Sequence, residues 1–223
     1  MKARRVKKLD PEMPLADAAE RIIRVRLDEL HSFVPAALDP AQAEALHDLR
    51  IAAKRVRYLL EVTGPCFGPY AVTAGKRARD IQNLVGEIHD CDVHLPEVLS
   101  LLSELRAHDA AELRRLAGED GAPDLDPGLS ARAPHRAAYR GLEVLAAHLQ
   151  ARRGLLFERF LDLWRKLERQ GFRRELEAAL AERAAEPVAS PPASADGTAS
   201  QERNHRGQAR GRPRETAEPS RPL

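Results

Sequence analysis

The chain has 223 residues, 43% of them hydrophobic and only 4% aromatic, with 36 basic against 34 acidic side chains and a net charge of +2. The apolar content is mostly Leu and Ala, with few β-branched residues, which argues against a sheet-built core and for an all-α protein. The aromatic shortage argues against a surface that works by stacking bases, and the near-neutral charge means that any affinity for anions has to be local.

In chain order, the basic start MKARRVKKL runs into Asp10, Pro11 and Glu12 with no apolar stretch, so neither a secretion signal nor a membrane span is expected and the location defaults to the cytoplasm. A first helix is predicted over residues 14–33, where Leu15, Ala18, Ile22, Leu27 and Leu30 share a face. A second is predicted over about residues 40–63, with Asp39 as N-cap, Pro40 at the first helical position, Gln42 completing a capping box, and Gly64-Pro65 as the stop. Cys66 lies beyond it, far from Cys91 and without a CxxC partner, so both are expected to be reduced structural thiols. A third helical pattern covers about residues 70–105, with a kink or restart at Pro96. Residues 118–134 read as a loop. One long helix is expected from His135, broken at Gly171 before a short last helix that ends near residue 184. The expectation is an antiparallel bundle of five to six helices over residues 1–185. Residues 186–223, rich in Pro, Ser, Gly and Arg, form a disordered tail on this reading.

Chemistry concentrates in HDLRIAAKRVRYLLE, residues 47–61. At roughly 100° per residue, His47, Arg50, Lys54, Arg57, Tyr58 and Glu61 fall in one sector, beside the apolar Leu49, Ala53, Val56 and Leu60. The cations therefore border the buried stripe, where a neighbouring helix faces them, while Arg55 points elsewhere. On the third helix Lys76, Arg79, Asn83, Gly86, Glu87 and Asp90 share a side. Gly86 costs about 1 kcal/mol relative to alanine in mid-helix, which suggests close approach of another helix or of a ligand.

HDLRIAAKRVRYLLE, followed some thirty residues later by LVGEIHDCDVHLPEVL, resembles the CHAD (conserved histidine α-helical) domain over roughly residues 14–105. The resemblance implies an all-helical fold whose basic groove binds inorganic polyphosphate, often alongside polyphosphate-metabolising enzymes and, by extension, polyphosphate granules. The motif's histidine falls on His47, its basic positions on Arg50, Lys54 and Arg57 with Tyr58 in register, and its acidic positions on Asp90 and Asp92. Lys76 and Arg79 extend the cationic set, and His89 stands where many members carry an arginine. Members typically hold two motif copies related by a pseudo-twofold. Here residues 134–184 contain no second copy, since His135, Arg136 and Arg140 have a different spacing. His148, Arg152, Arg159 and Lys166 align along one side of the late helix and are the expected substitute wall, with a homodimer as the other way to close the groove.

A row of Lys and Arg at i, i+4 and i+7, about 5–6 Å apart, suits a linear polyphosphate, which offers charge but no base edges. Two other classes remain open. One is a protein that contacts nucleic acid through its phosphates alone, which the charge and aromatic counts disfavour. The other is a metal-dependent HD-type phosphohydrolase, because His47-Asp48 and His89-Asp90 both read HD; neighbours on a helix diverge by about 100°, so neither pair closes on a metal alone. No catalytic nucleophile, phosphate loop, dinucleotide fingerprint, cofactor motif or metal-ligand set is visible, and a binding protein is expected, not an enzyme.

Overall fold

Helical periodicity dominates the molecule as its composition requires. A computed structural model describes residues 2–119 and 124–183, so the expected tail at 186–223 lies outside the described residues. Those residues form five α-helices, α1 (Leu15–Ala37), α2 (Ala43–Thr63), α3 (Tyr70–Glu119), α4 (Arg136–Arg169) and α5 (Phe172–Ala181), with 3₁₀ turns at Gly64–Cys66 and Pro127–Arg132 and no strand. The protein is an all-α bundle, and its long helices pack antiparallel.

Local chemistry moves several boundaries. α1 runs on through Pro35 to Ala37. Asp39 does not cap α2: its Oδ1 accepts from the Ala41 amide at 2.9 Å and its carbonyl from the Gln42 amide at 3.1 Å, which closes a turn. Gln42, at φ −94° and ψ 65°, then occupies the cap position, and its side chain donates back to Asp39 Oδ2 at 3.4 Å and not to the helix's first turn. α3 neither restarts at Pro96 nor stops near residue 105, but continues to Glu119. Pro96 is exposed, so the one donor it withholds is lost at the wet face of the helix. The described residues of the loop expected at 118–134 include a 3₁₀ turn, and the loop's first two positions, 118 and 119, belong to α3. Gly171 does end α4, in the left-handed region at φ 66° that favours glycine.

The core draws one stripe from each helix: Ile23, Leu27 and Leu30; Leu46, Leu49, Val56 and Leu60; Ala74, Ala78, Ile81, Val85 and Ile88; Leu156, Phe160, Trp164 and Leu167; and Phe172, Leu176 and Leu180. Alanines on α2 and α3 let these helices approach closely, and α4 fills the remaining space with Phe160 and Trp164. Glu29 is buried in this frame. It accepts from the Arg4 amide, pairs with Arg26 at 2.6 Å, and has Arg55 Nη1 at 3.9 Å. Arg55 thus leaves the cationic sector as expected, but it faces a buried carboxylate, not solvent.

The core stops at Cys91 and resumes at Leu156. Between them the distal half of α3 and the first half of α4 form a two-helix arm with little buried apolar surface. Cys66 and Cys91 are free thiols, as expected.

Candidate anion-binding seam

α2 and α3 run antiparallel around the Gly64–Cys66 turn, which aligns their polar sectors residue against residue. Arg79 donates to Glu61, Arg57 Nη1 lies 3.3 Å from Gln82 Oε1, Arg50 crosses Gly86, and the rings of His47 and His89 meet with centroids 4.6 Å apart. A Cβ on residue 86 would stand 3.2 Å from Arg50 Nε, so this glycine makes room for the arginine to lie across α3.

Arg50 is the unusual group. Its Nε is buried and, among the described residues, has no hydrogen-bond partner, nor does any carboxylate there pair with the guanidinium. It lines a cleft of about 370 Å³ together with Gln82, Asn83, Gly86, Glu87 and Asp90. Lys54 is exposed, and its ammonium lies 5.7 Å from the centroid of the Tyr58 ring, whose other cationic neighbour is Arg57 at 5.1 Å. Tyr58, 47% exposed, thus positions two cations at the rim.

Arg57 and Arg79 share Glu61, with Arg57 Nε at 2.8 Å. Hydrogen bonds from Arg57 and then Arg79 hold the Glu61 carboxyl below its ordinary range, so it is ionised and offsets one of their two charges. Lys76 is exposed beside a second cleft of about 260 Å³, lined by Leu60, Glu61, Gly75 and Arg79 among others. At the other end His47 and His89 line a cleft of about 290 Å³ with Glu44 and Asp92. Burial, then the neighbouring His47 and Arg50, push the His89 imidazole below its usual value, while Asp90 and Asp92 oppose the shift. His47 Nδ1 is buried without a partner.

The late helix contributes less directly. Arg152 donates to Glu87 at 2.6 Å and to Cys91 Sγ at 3.6 Å, which fastens α4 to the flank of α3 at the edge of the Arg50 cleft. Arg159 is exposed, and no ion pair or hydrogen bond joins it to α2 or α3; His148 and Lys166 are likewise exposed. Arg153, absent from the expected set, binds Asp92 and donates to the Pro40 carbonyl at 2.8 Å, so that Asp92 acts as a tie between helices. Gln82 was also missed, although its spacing from Arg79 and Gly86 places it on the same side of α3 and a wheel drawn one residue wider includes it. Among the described residues neither HD pair belongs to a set of three ligating side chains close enough for one metal.

This paired-helix arrangement of a histidine, its basic row and a facing acidic helix falls inside residues 2–97, which match the family model of the CHAD domain. Over those residues the chain is similar to the CHAD domain. No curated protein and no solved structure matches the chain. The CHAD match takes in His47, Arg50, Lys54, Arg57, Tyr58, Lys76, Arg79 and His89, and it leaves Arg152 and Arg159 outside. Its end at residue 97 falls close to where α3 leaves the core for the arm. None of the described helices is long and apolar enough to cross a membrane.

Proposed function

We propose that the α2/α3 seam binds linear inorganic polyphosphate without catalysis. The observation that carries this reading is Arg50, a half-buried guanidinium that no carboxylate among the described residues pairs with, held open to a cleft that the amides of Gln82 and Asn83 line together with Glu87 and Asp90. A buried cation without a counter-charge costs free energy unless an anion completes it, and a phosphate oxygen accepts from both a guanidinium and amide N–H groups. Lys54 and Lys76, which also lack carboxylate partners among the described residues, extend the row on both helices, and Arg57 and Arg79 join it as Glu61 neutralises only one of them.

The row fits a flexible chain of phosphates better than a duplex, because the cations lie within a crease between two helices. Glu87 and Asp90 at its edge narrow the tolerated path. Arg152 reaches this edge through Glu87, whereas Arg159 stands apart, so on this reading the opposite wall is open to solvent or to a second copy of the chain. Polyphosphate, at granules or with the enzymes that make and degrade it in the cytoplasm, is the partner that follows.

Competition between polyphosphate and duplex DNA at equal charge concentration and two salt concentrations tests the proposal. Polyphosphate should win clearly, and Arg50→Ala should weaken binding and lower the slope of log affinity against log salt by nearly one phosphate's share. Equal competition by the two polymers would replace this function with nucleic-acid backbone binding.

A further inference from the structure

At the tip of the arm, outside the CHAD match, α3 and the start of α4 bring together three side chains that the seam does not use. Asp109 is buried, with its side chain 4% exposed, and His135 Nδ1 lies 2.6 Å from its Oδ1. His108 Nδ1 lies 3.8 Å from the same oxygen, and the two imidazole rings stand nearly perpendicular at 78° with centroids 4.9 Å apart. One ligating atom from each of the three lies within 4.8 Å of the other two.

We propose that His108, Asp109 and His135 form a site for a divalent transition metal of the zinc class. Two imidazole nitrogens and one carboxylate oxygen are the donors such ions prefer, at bond lengths of about 2.0–2.2 Å, whereas calcium and magnesium call for oxygen shells. The Tyr139 hydroxyl donates to Asp109 Oδ2 at 2.5 Å, which leaves Oδ1 for the metal and fixes the carboxylate in the way outer partners of metal ligands do. Coordination through Nδ1 takes the neutral His135 ring with its proton on Nε2, so the hydrogen bond between His135 Nδ1 and Oδ1 gives way to two bonds to the metal. Water takes the fourth position, or Glu112, one turn beyond His108 and now held by Arg115 at 2.6 Å, turns towards it.

The alternative is a hydrogen-bonded tie between α3 and α4 made by Asp109, His135 and Tyr139 alone. His108 separates the two ideas. It is 64% exposed and too far from Asp109 for a hydrogen bond, so the tie does not need it, whereas a three-ligand site does. A bound ion would pin the junction where the chain passes from α3 to α4.

The test is equilibrium titration of the untagged full-length chain with Zn²⁺ and Co²⁺, following metal content, the visible absorption of Co²⁺, and melting temperature. The expected result is one metal per chain, a higher melting temperature with Zn²⁺, and indifference to Mg²⁺ and Ca²⁺. His108→Ala should melt with the parent in the absence of metal but bind at least about tenfold more weakly, since even outer-shell losses cost 10- to 100-fold. His94→Ala should behave as the parent. Absence of stoichiometric uptake by the folded parent overturns the proposal, and so does uptake by His108→Ala equal to that of the parent.

Discussion

Over its first half α3 buries Ala71, Ala74, Ala78, Ile81, Val85 and Ile88 in regular succession. Beyond Asp92 the same helix buries only Leu102, Asp109 and Ala117 and leaves Leu99 and Leu101 nearly half exposed. The polar groups diverge as well. Near the core Arg57 and Arg79 share Glu61, but Arg50, Lys54 and Lys76 have no carboxylate partner among the described residues, whereas in the arm Arg106 is bound by Glu143 and Arg115 by Glu112. Continuity of a helix therefore says nothing about what its segments do. The half with a well-packed core can hold cations unpaired, because its geometry is secured by apolar contacts. The arm, with little to bury, relies on polar links such as Asp109 with His135 and Tyr139.

The sharpest way to test this contrast is to remove equal apolar bulk from both regions. Leu49→Ala, at a fully buried position of α2, should cost about 2–5 kcal/mol in denaturant unfolding. Leu99→Ala in the arm should stay within about 0.5 kcal/mol, and a comparable loss at both sites would show that the arm carries core.

Arg55 and Arg50 divide stability from binding on a single helix. Arg55→Ala leaves the buried Glu29 with one cation fewer and should cost about 1–3 kcal/mol while polyphosphate affinity holds. Arg50→Ala should do the reverse, reducing affinity with little loss of stability, because no carboxylate depends on it. Calorimetry and anion titration of the two variants decide it; a shared phenotype would mean that α2 offers only general positive charge.

A smaller effect concerns pH. His89 is held below the ordinary imidazole range by burial and by His47 and Arg50, and His31 is depressed by burial and then by Arg173. In both cases the unfolded chain binds the proton more readily. Stability is therefore complete above the unfolded value near 6.5 and declines as pH falls below it through the lower folded values. Bound polyphosphate should reduce the part due to His89, because a protonated imidazole beside a phosphate is favourable. Melting curves between neutral and mildly acidic pH, with and without polyphosphate, should converge in His89→Asn. The smallest expected effect is at Arg159. It touches neither α2 nor α3, so Arg159→Glu should leave affinity unchanged within error, and a clear loss would restore α4 as the groove's far wall.

Periodicity and composition alone determined that this protein is helical, where α2 and α3 carry their apolar stripes, that Gly171 ends α4, and that His47, Arg50, Lys54, Arg57 and Tyr58 share a sector. These are local matters of residue type and a repeat of 3.6, legible without knowing what lies opposite. The α2 start was misread because Asp39, Pro40 and Gln42 suit a capped helix and a tight turn alike. Pro96 was misread because an exposed proline costs a long helix one bond, too little to stop it once both flanking segments are paired with other helices.

Tertiary structure decided which charges are free. Glu61 takes two arginines, Glu87 takes Arg152, Asp92 takes Arg153, and Arg50 lies over Gly86 with no carboxylate partner among the described residues. The partners in the last three ion pairs come from different helices, separated by as much as 65 residues for Arg152 and Glu87, so no spacing rule within one helix reveals them. The same holds for Asp109 and His135, brought together across 26 residues by the antiparallel return of α4, because ion pairing and coordination act through distance in space and not along the chain.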